Sequence, residues 1–433
     1  MREVPYTRFM TENAAVSEEQ FRADATAFLA ANCPRRVVEV KKEWGKGSDR
    51  VSLFEEKSKE AEERDVAHAK AWRQQMFDAG FGWITGPTQY GGRGLSKRYE
   101  TIWNEVQRDF STPNLSAFGI GLGMVAPTFL AHATDAAKEK YLRPMWRGEI
   151  VGCQLFSEPS AGSDLASLQT KAERDGDEWV ITGQKVWTTG AQFSDVGEVI
   201  CRTDPNLPKH KGLTGFIVDM HAPGVEVRPL RQMTGGASFN EVFFNEVRVP
   251  DDHRLGDVNQ GWTVALTTLM NERASIGGGE GGGNSPMGLN HLADLMRAMG
   301  KIDDTVLRQE LIKIHINSQV QKFTGMRAMS KIKAGQLPGP EMSIGKLALA
   351  MNMTQTSAFV SKVLGMKLTA DSGEWGTYAW SDFVLGTPGM RIAGGSDEVM
   401  RNIVGERVLG LPKDTGIDSV TPFNQLKVGT QKS

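Results

Sequence analysis

The periodicity of apolar residues changes twice along this sequence, and that change limits the possible folds more than any other feature. Helical spacing runs over roughly the first third. Short β-branched and aromatic runs broken by Gly, Asp and Pro follow, and helical spacing then returns. We therefore predict an α+β multidomain protein with an N-terminal all-α domain over residues 1–150, a middle β domain over 151–261 and a C-terminal α-helical bundle over 262–433.

The N-terminal part contains one clear helix start and one segment of different character. Residues 17–20 read Ser-Glu-Glu-Gln before apolar residues at helical spacing, which is typical of a capping box. Residues 40–66 are dense in Lys and Glu with few large apolar side chains, and we interpret them as a solvated excursion from the fold. Helical spacing resumes over residues 68–77.

The middle part contains a hairpin signal. Asp175-Gly176 separates two strand-like runs, and this dipeptide favours the positive φ values of a type I′ turn. Residues 178–182, 215–219 and 240–244 have the composition of strands. These features predict an antiparallel arrangement in the middle domain.

Composition favours small-molecule chemistry inside a cell. The 433 residues carry a formal net charge of -2 with no long Lys/Arg run, so neither nucleic acid nor an anionic membrane surface is expected as a partner. Cys33, Cys153 and Cys201 are scattered, which predicts reduced thiols. The sequence has no run of about 18 apolar residues that predicts a membrane span, and its N-terminus does not resemble a targeting signal. We expect a cytoplasmic protein.

Common catalytic and nucleotide-binding motifs do not explain the chain. There is no P-loop, no His-Glu-x-x-His and no Gly-x-Ser-x-Gly, and the His residues show no metal-ligand spacing. Residues 121–126 fit the dinucleotide fingerprint only loosely, and they follow a helical rather than a strand-like segment. An enzyme of this sequence would need a non-metal cofactor or a lone carboxylate.

One carboxylate is placed unusually. Glu272 shares a helical stripe with Ala265, Leu269 and Ile276, so its side chain should face the interior. Burial raises the pKa of a carboxyl group and can make it a general base, whereas a salt bridge to Arg273 or to a neighbouring helix would give it a structural role. The glycine run at residues 277–283 is either a helix break or a means of making room for a bulky ligand.

Four stretches carry a resemblance that covers nearly the whole chain. Residues 154–165 (Gln-Leu-Phe-Ser-Glu-Pro-Ser-Ala-Gly-Ser-Asp-Leu), 184–190, 235–249 and 392–412 resemble signatures of the acyl-CoA dehydrogenase family. The resemblance implies a β-barrel-like middle domain between helical domains, and a flavoprotein that binds FAD and an acyl-CoA.

The resemblance assigns flavin contacts in the middle domain. Phe156 and Ser157 match positions that bond the flavin ring, and Ser163 matches one that lies by the flavin and the pantetheine arm. Trp187 matches the aromatic residue packed on the isoalloxazine, and Thr189 matches the hydroxyl near flavin N5. Without the resemblance, a core aromatic residue would be the preferred interpretation of Trp187.

The C-terminal matches are less regular. Ser396 and Glu398 match positions near the adenosine half of FAD, where the family usually has Thr and Gln. Arg297 only approximates the arginine of the Arg-x-x-Phe-Gly stretch that typically reaches the neighbouring subunit's flavin. The glycine-rich loop that usually precedes the last signature is not recognisable around residues 369–380.

The catalytic base departs from the family's usual place. Most members have it at the position of Gly394, whereas a minority resembling isovaleryl-CoA and long-chain acyl-CoA dehydrogenases place a Glu before an Arg, as in Glu272-Arg273. The resemblance implies that the Gly394 N–H and a flavin ribityl hydroxyl bind the thioester oxygen. Ser163, Arg273 and Ala393 are the expected substrate contacts, and the small residues Ala393 and Gly394 suggest a roomy pocket for a bulky or branched acyl group.

The predicted function is FAD-dependent dehydrogenation of an acyl-CoA to a trans-2-enoyl-CoA, with electrons passed to an electron-transferring flavoprotein. The family implies a tetramer, either of this chain alone or with a related subunit. The alternatives are an acyl-CoA oxidase, a flavin-poor structural subunit of a heteromeric enzyme, and a DNA-alkylation-response relative of the fold. The last is disfavoured because the sequence shows no basic C-terminal patch.

Overall fold

The computed structural model describes residues 16–37, 51–53, 57–277, 287–333, 339–370, 372–373, 376–413 and 419–426. Helices precede and follow a group of strands, as predicted. The first helices are α1 (Glu18–Asn32), α2 (Lys59–Asp78), α3 (Lys97–Gln107), α4 (Ala126–His132) and α5 (Asp135–Arg147). The strands are β1 (Gly152–Leu155), β2 (Lys171–Asp175), β3 (Glu178–Thr189), β4 (Val196–Arg202), β5 (Leu213–Asp219), β6 (Val225–Leu230), β7 (Phe239–Pro250) and β8 (Arg254–Leu255). The last helices are α6 (Gly261–Gly277), α7 (Leu289–Ala298), α8 (Thr305–Lys333), α9 (Met342–Leu364), α10 (Ser381–Met390) and α11 (Asp397–Ile403).

The first helix begins where the capping box predicts. The Ser17 side chain accepts a hydrogen bond from the Gln20 N–H at 3.1 Å, which satisfies one of the backbone donors that a helix start leaves unpaired. Phe21, Ala25 and Leu29 are fully buried. The prediction of this helix start is confirmed.

In the described parts of residues 40–66 the predicted exposure is confirmed for residues 57–66, but the interpretation as an excursion from the fold is wrong. Ser58 caps α2, which already begins at Lys59, so the charged residues there form the exposed face of a helix. Val51 is buried among the C-terminal helices, and its N–H donates to the Ala379 carbonyl at 2.7 Å. High charge density indicated exposure correctly, but exposure does not exclude a helix.

The strands form one mixed sheet in the order β6-β7-β3-β2-β4-β5-β8, with β1 paired in parallel to β4. The sheet curves around an apolar core that includes Trp179, Val199, Phe216 and Phe244. The predicted hairpin is confirmed, but the prediction of a type I′ turn is wrong. Asp175 pairs with Glu178 inside the ladder, and in the loop of residues 176–177 the positive φ (+67°) occurs at Gly176 and not at residue 177.

The opposite face of the sheet packs on helices. Residues of α4, α5, β4, β5 and α6 share one core, in which Phe129, Ile200, Val264 and Ala265 are buried. A separate core joins α7, α8, α9 and α10. The helix α6 therefore lies over the sheet and beside α4, which sets the position of Glu272. The domain limits at 150/151 and 261/262 stay predictions.

Within the part of the chain that the structure describes, no helix is long and apolar enough to span a membrane. The same residues contain no group of three or more His, Cys, Asp or Glu that could hold a metal ion.

Candidate active site

An exposed tryptophan marks an irregular point in the middle domain. The register between β3 and β7 shifts between Lys185 and Thr188, and Trp187 within this bulge has φ +62° with 60% of its surface exposed. A positive φ is costly for a bulky residue, and bulges often redirect a side chain next to a functional site. Interpretation of Trp187 as a core aromatic residue is therefore wrong. Thr189, two residues further on, is exposed as well.

The neighbouring segment that contains Phe156 and Ser157 is attached to the same bulge. The Ser157 carbonyl accepts from the Val186 N–H at 2.8 Å, and the Phe156 carbonyl accepts from Lys185 Nζ at 3.0 Å. Phe156 is buried and Ser157 is half-buried. Four of the predicted flavin contacts therefore belong to two segments that hydrogen-bond to each other.

A buried ion pair supports this junction. Lys185 Nζ lies 2.9 Å from Glu158 Oε1, and the side chains of Lys185 and Glu158 are 0% and 5% exposed. The Glu158 carboxylate also accepts from the N–H groups of Gln169 at 2.6 Å and Thr170 at 2.9 Å. Burial raises the pKa of Glu158, but the Lys185 charge and these hydrogen bonds outweigh it, so the pKa is lowered. The Glu158 carboxyl is therefore held in its ionised form, paired with Lys185.

Ser163 lies in the loop after this pair and is exposed. The loop is held by Arg202, whose guanidinium donates to the Ala166 carbonyl at 2.5 Å, and by the pair of Lys209 with Asp164 at 2.8 Å. The Ser163 side chain is thus presented to solvent on an anchored loop, as a ligand contact requires.

The second cluster forms around Lys346 on α9. Its ammonium is buried and donates to the Gly395 carbonyl at 2.5 Å and to the Arg391 carbonyl at 3.4 Å. Burial lowers the pKa of Lys346, whereas the carboxylates of Asp397, Glu272 and Glu398 act in the opposite direction. The Glu272 carboxylate thus raises the pKa of an ammonium that also donates to the Gly395 carbonyl, next to Gly394. The two predicted catalytic positions, distant in sequence, are connected through Lys346.

Local geometry explains the residues at this turn. Gly394 and Gly395 have φ +70° and +95°, in the left-handed region that favours glycine. Glu272 is half-buried on α6, and Ala265 and Leu269 of the same stripe pack into the core. The inward orientation predicted for the stripe is thus confirmed for Ala265 and Leu269. The side chains of Arg273 and Ile276, and residues 278–283 of the glycine run, lie outside the described residues.

The other predicted C-terminal contacts have local structural partners. Ser396 caps α11 by accepting from the Val399 N–H at 3.4 Å, and Glu398 is exposed 3.9 Å from Arg401. Arg297 is exposed on α7 and pairs with Asp294. Ala393 is exposed beside the glycine turn. Cofactor or substrate contacts of these residues stay predictions.

Sequence reasoning missed the two buried lysines, Lys185 and Lys346. Both stand inside apolar or β-branched surroundings, Lys185-Val-Trp and Ile-Gly-Lys346-Leu-Ala-Leu. A lysine at a position whose periodicity demands burial is rarely tolerated unless it is paired. That signal was available in both stretches.

Known proteins share this arrangement of elements. Family models described as acyl-CoA dehydrogenase N-terminal, middle and C-terminal domain match residues 49–149, 153–247 and 259–409. Acyl-CoA dehydrogenase FadE34 of Mycobacterium tuberculosis is 38% identical over 329 residues, which are 76% of this chain but only 44% of that protein. Acyl-CoA dehydrogenase IpdE1 of the same organism is 34% identical over 92% of this chain and 98% of its own. A solved structure named Tcur3481-Tcur3483 steroid ACAD superposes with TM-score 0.68 at 26% identity, covering 93% of this chain and 99% of that one.

Proposed function

Because the chain belongs to the acyl-CoA dehydrogenase family, we propose that it oxidises the bond between C2 and C3 of an acyl-CoA thioester, with Glu272 as the base. One observation carries the assignment of the base. The Glu272 carboxylate acts electrostatically on the buried Lys346 ammonium, and this ammonium donates to the carbonyl of Gly395, although more than a hundred residues separate Glu272 from that turn. Removal of a proton next to a thioester needs a carboxylate and a backbone donor in one site, and the lysine common to both supports that pairing.

The cofactor in this proposal is FAD, as expected for a flavoprotein family. Phe156, Ser157, Trp187 and Thr189 fit the flavin ring, because the exposed indole in the strained bulge offers an aromatic face and the anchored segment offers backbone and hydroxyl groups. Ser163 fits the flavin and pantetheine side. Ser396 and Glu398 would lie toward the adenosine half, and Arg297 would reach a neighbouring subunit's cofactor. When bound, FAD supplies the acceptor for the hydride that leaves C3.

The chain's own groups divide the remaining work. Glu272 takes the proton from C2, which is too weak an acid until the thioester oxygen is bound by donors. The Gly394 N–H is one such donor, and its left-handed turn is fixed through the hydrogen bond from Lys346 to Gly395. Fixing the donor before the substrate arrives avoids reorganisation during the reaction.

The substrate is proposed to be bulky. Ala393 has a small side chain and Gly394 has none, and a relative with a solved structure is named a steroid ACAD. Arg273 and Ser163 are the remaining proposed substrate contacts. A turnover series in which short straight-chain acyl-CoAs react and ring-bearing or branched ones do not would refute this part.

Electrons are proposed to leave for an electron-transferring flavoprotein, and the chain to assemble as a homotetramer or with a related subunit. The helix α8 supports assembly, because five large apolar residues follow one stripe of it with 44 to 62% of their surface exposed. They are Ile312, Ile316, Val320, Phe323 and Met326. Sedimentation of the purified protein measures this directly.

The deciding experiment measures flavin reduction. We expect the purified protein to carry flavin and to bleach under anaerobic conditions with a suitable acyl-CoA, whereas Glu272→Gln should bleach about 10²–10⁴-fold more slowly. The matched control is Glu310→Gln, which removes a half-buried carboxylate of α8 that pairs with Lys362 outside the proposed site.

Three results would contradict parts of the proposal. Unchanged bleaching by Glu272→Gln refutes the base. A colourless protein that does not take up added FAD indicates a structural subunit. Reoxidation by oxygen as fast as by an electron-transferring flavoprotein indicates an oxidase.

A further inference from the structure

A buried carboxyl group outside the proposed catalytic residues lies where α4, β4 and α6 meet. Glu198 on β4 is fully buried and faces the same core as Val196 and Ile200. Thr268 Oγ1 on α6 donates to Glu198 Oε1 at 2.6 Å, and it lies 2.8 Å from Thr128 Oγ1 on α4. The three side chains thus connect the sheet to both helices.

The proton count of this cluster points to a neutral acid. Each threonine hydroxyl has one hydrogen, and that of Thr268 has two acceptors in reach, Glu198 Oε1 at 2.6 Å and the Val264 carbonyl at 3.3 Å, of which Glu198 is the nearer. Glu198 Oε2 is buried without a hydrogen-bond partner among the described residues. Burial raises the pKa of Glu198 to about 8, and the bond from Thr268 lowers it only in part. A carboxylate would need more donors than this site offers.

Few titratable groups face Glu198 from the elements packed against it. On β1 and β5 its neighbours are the uncharged Gln154 and Ile217. On α4 the titratable group is His132, whose Nε2 lies 2.8 Å from Thr267 Oγ1 and whose pKa is lowered by burial. On α6 it is Glu272. Neither a lysine nor an arginine contributes to the pKa shift of Glu198.

The cluster is linked to the base by helix geometry. Thr268 precedes Glu272 by four residues, so the two side chains lie on the same face of α6 about one turn, or 5.4 Å, apart. We propose that Glu198, as a neutral acid, is a positioning residue that holds the rotation of α6 and thereby aims the Glu272 carboxylate. This rests on the proposed function only for its effect on the reaction. Ionisation of Glu198 would loosen the attachment of α6 to the sheet, because the Thr268 hydroxyl alone cannot satisfy a buried carboxylate.

Two readouts test this, and one of them does not depend on the reaction. The first is deuterium exchange of the α6 backbone between pH 6.5 and 9.5, corrected for intrinsic exchange. In the wild type we expect protection of α6 to fall at least threefold as pH rises through about 8. In Glu198→Gln, an uncharged isostere that keeps the acceptor for Thr268, protection should stay flat.

The second readout is the pH profile of flavin reduction. In the wild type the rate of flavin reduction should fall at alkaline pH with a midpoint near pH 8. Glu198→Gln should keep at least a third of the wild-type rate at pH 7 and should not show this alkaline fall. Thr268→Val should reduce the rate tenfold or more while Thr268→Ser restores it. The control Thr267→Val removes the adjacent contact of α6 to His132 and should leave the alkaline fall in rate unchanged.

The failures of the two proposals can be told apart. If Glu272→Gln still reduces flavin, the base is wrong, and the exchange of α6 alone then decides the role of Glu198. If Glu198→Gln shows the same pH-dependent loss of α6 protection as the wild type, or if the wild type shows none, the role proposed for Glu198 is refuted whatever the base is.

Discussion

The buried pair of Lys185 and Glu158 allows a quantitative prediction. Lys185→Met keeps an apolar stem of similar length but removes the ammonium, so the Glu158 carboxylate loses one of its three close donors while its surroundings stay buried. Removing one partner of a buried ion pair generally costs about 3–5 kcal/mol, mostly because a buried charge is left uncompensated. We expect a loss of unfolding free energy in that range, and a loss of bound flavin because the Phe156 carbonyl also loses its donor.

A double variant separates charge from packing. In the double variant Glu158→Gln/Lys185→Met neither charge remains, so we expect it to be about 2 kcal/mol more stable than Lys185→Met alone. The matched control is Lys171→Met, which breaks the exposed pair with Glu173 and should change stability by less than about 1 kcal/mol. Urea unfolding followed by tryptophan fluorescence, with flavin absorbance on the same samples, gives all four values.

Two results would refute the reasoning. If Lys185→Met is no less stable than Lys171→Met, the buried pair does not hold the junction. If the double variant is as unstable as Lys185→Met, the cost comes from lost packing and not from an uncompensated charge.

Three further predictions concern the other site residues. Trp187→Gly should be more stable than Trp187→Ala by about 1 kcal/mol in the flavin-free protein, because glycine accepts the positive φ and both variants lose the same ring contact with Phe239. Both should weaken flavin binding, as flavin titration and urea unfolding would measure, and a Gly variant no more stable than the Ala variant contradicts the strain. Lys346→Gln should slow flavin reduction more than it weakens substrate binding, because the turn at Gly395 loses its ammonium donor. Separate measurements of rate and affinity would show this, and a change in affinity alone contradicts the role of Lys346. The folded protein keeps a proton on Glu198 up to about pH 8, whereas the unfolded chain releases it near pH 4.3. The free energy of unfolding should therefore fall as pH rises between these values, and it should fall less in Glu198→Gln.

The sequence alone was sufficient for features that depend on neighbours along the chain. Helical periodicity predicted α6 and the inward stripe of Glu272, and the capping pattern at Ser17 predicted the first helix start, because these signals act within one or two turns. The turn at residues 176–177 shows the limit, since the pairing of Asp175 with Glu178 decides which residues occupy the loop.

Features that depend on distant partners were missed for one physical reason. The burial of Lys185 and Lys346 is tolerated only because carbonyls and a carboxylate from other elements satisfy them, and Glu198 has one hydroxyl donor from another element. Neither the spacing nor the composition of the surrounding residues identifies those partners. Family resemblance located the positions of Trp187 and Gly394, but the bulge and the turn that present them are visible only in the fold.

The contact of Val51 with the C-terminal helices bears on how this chain is made. Its N–H is satisfied by the Ala379 carbonyl, and its side chain completes a core that includes Leu292 and Trp380. During synthesis residue 51 leaves the ribosome on the order of half a minute before residue 379 exists, at about 5–20 residues per second. Until residue 379 has been made, the Val51 N–H therefore lacks the Ala379 carbonyl and the Val51 side chain lacks its core. A separately expressed fragment of residues 262–433 would have a hole in its core, which a peptide carrying Val51 should fill when it is added back.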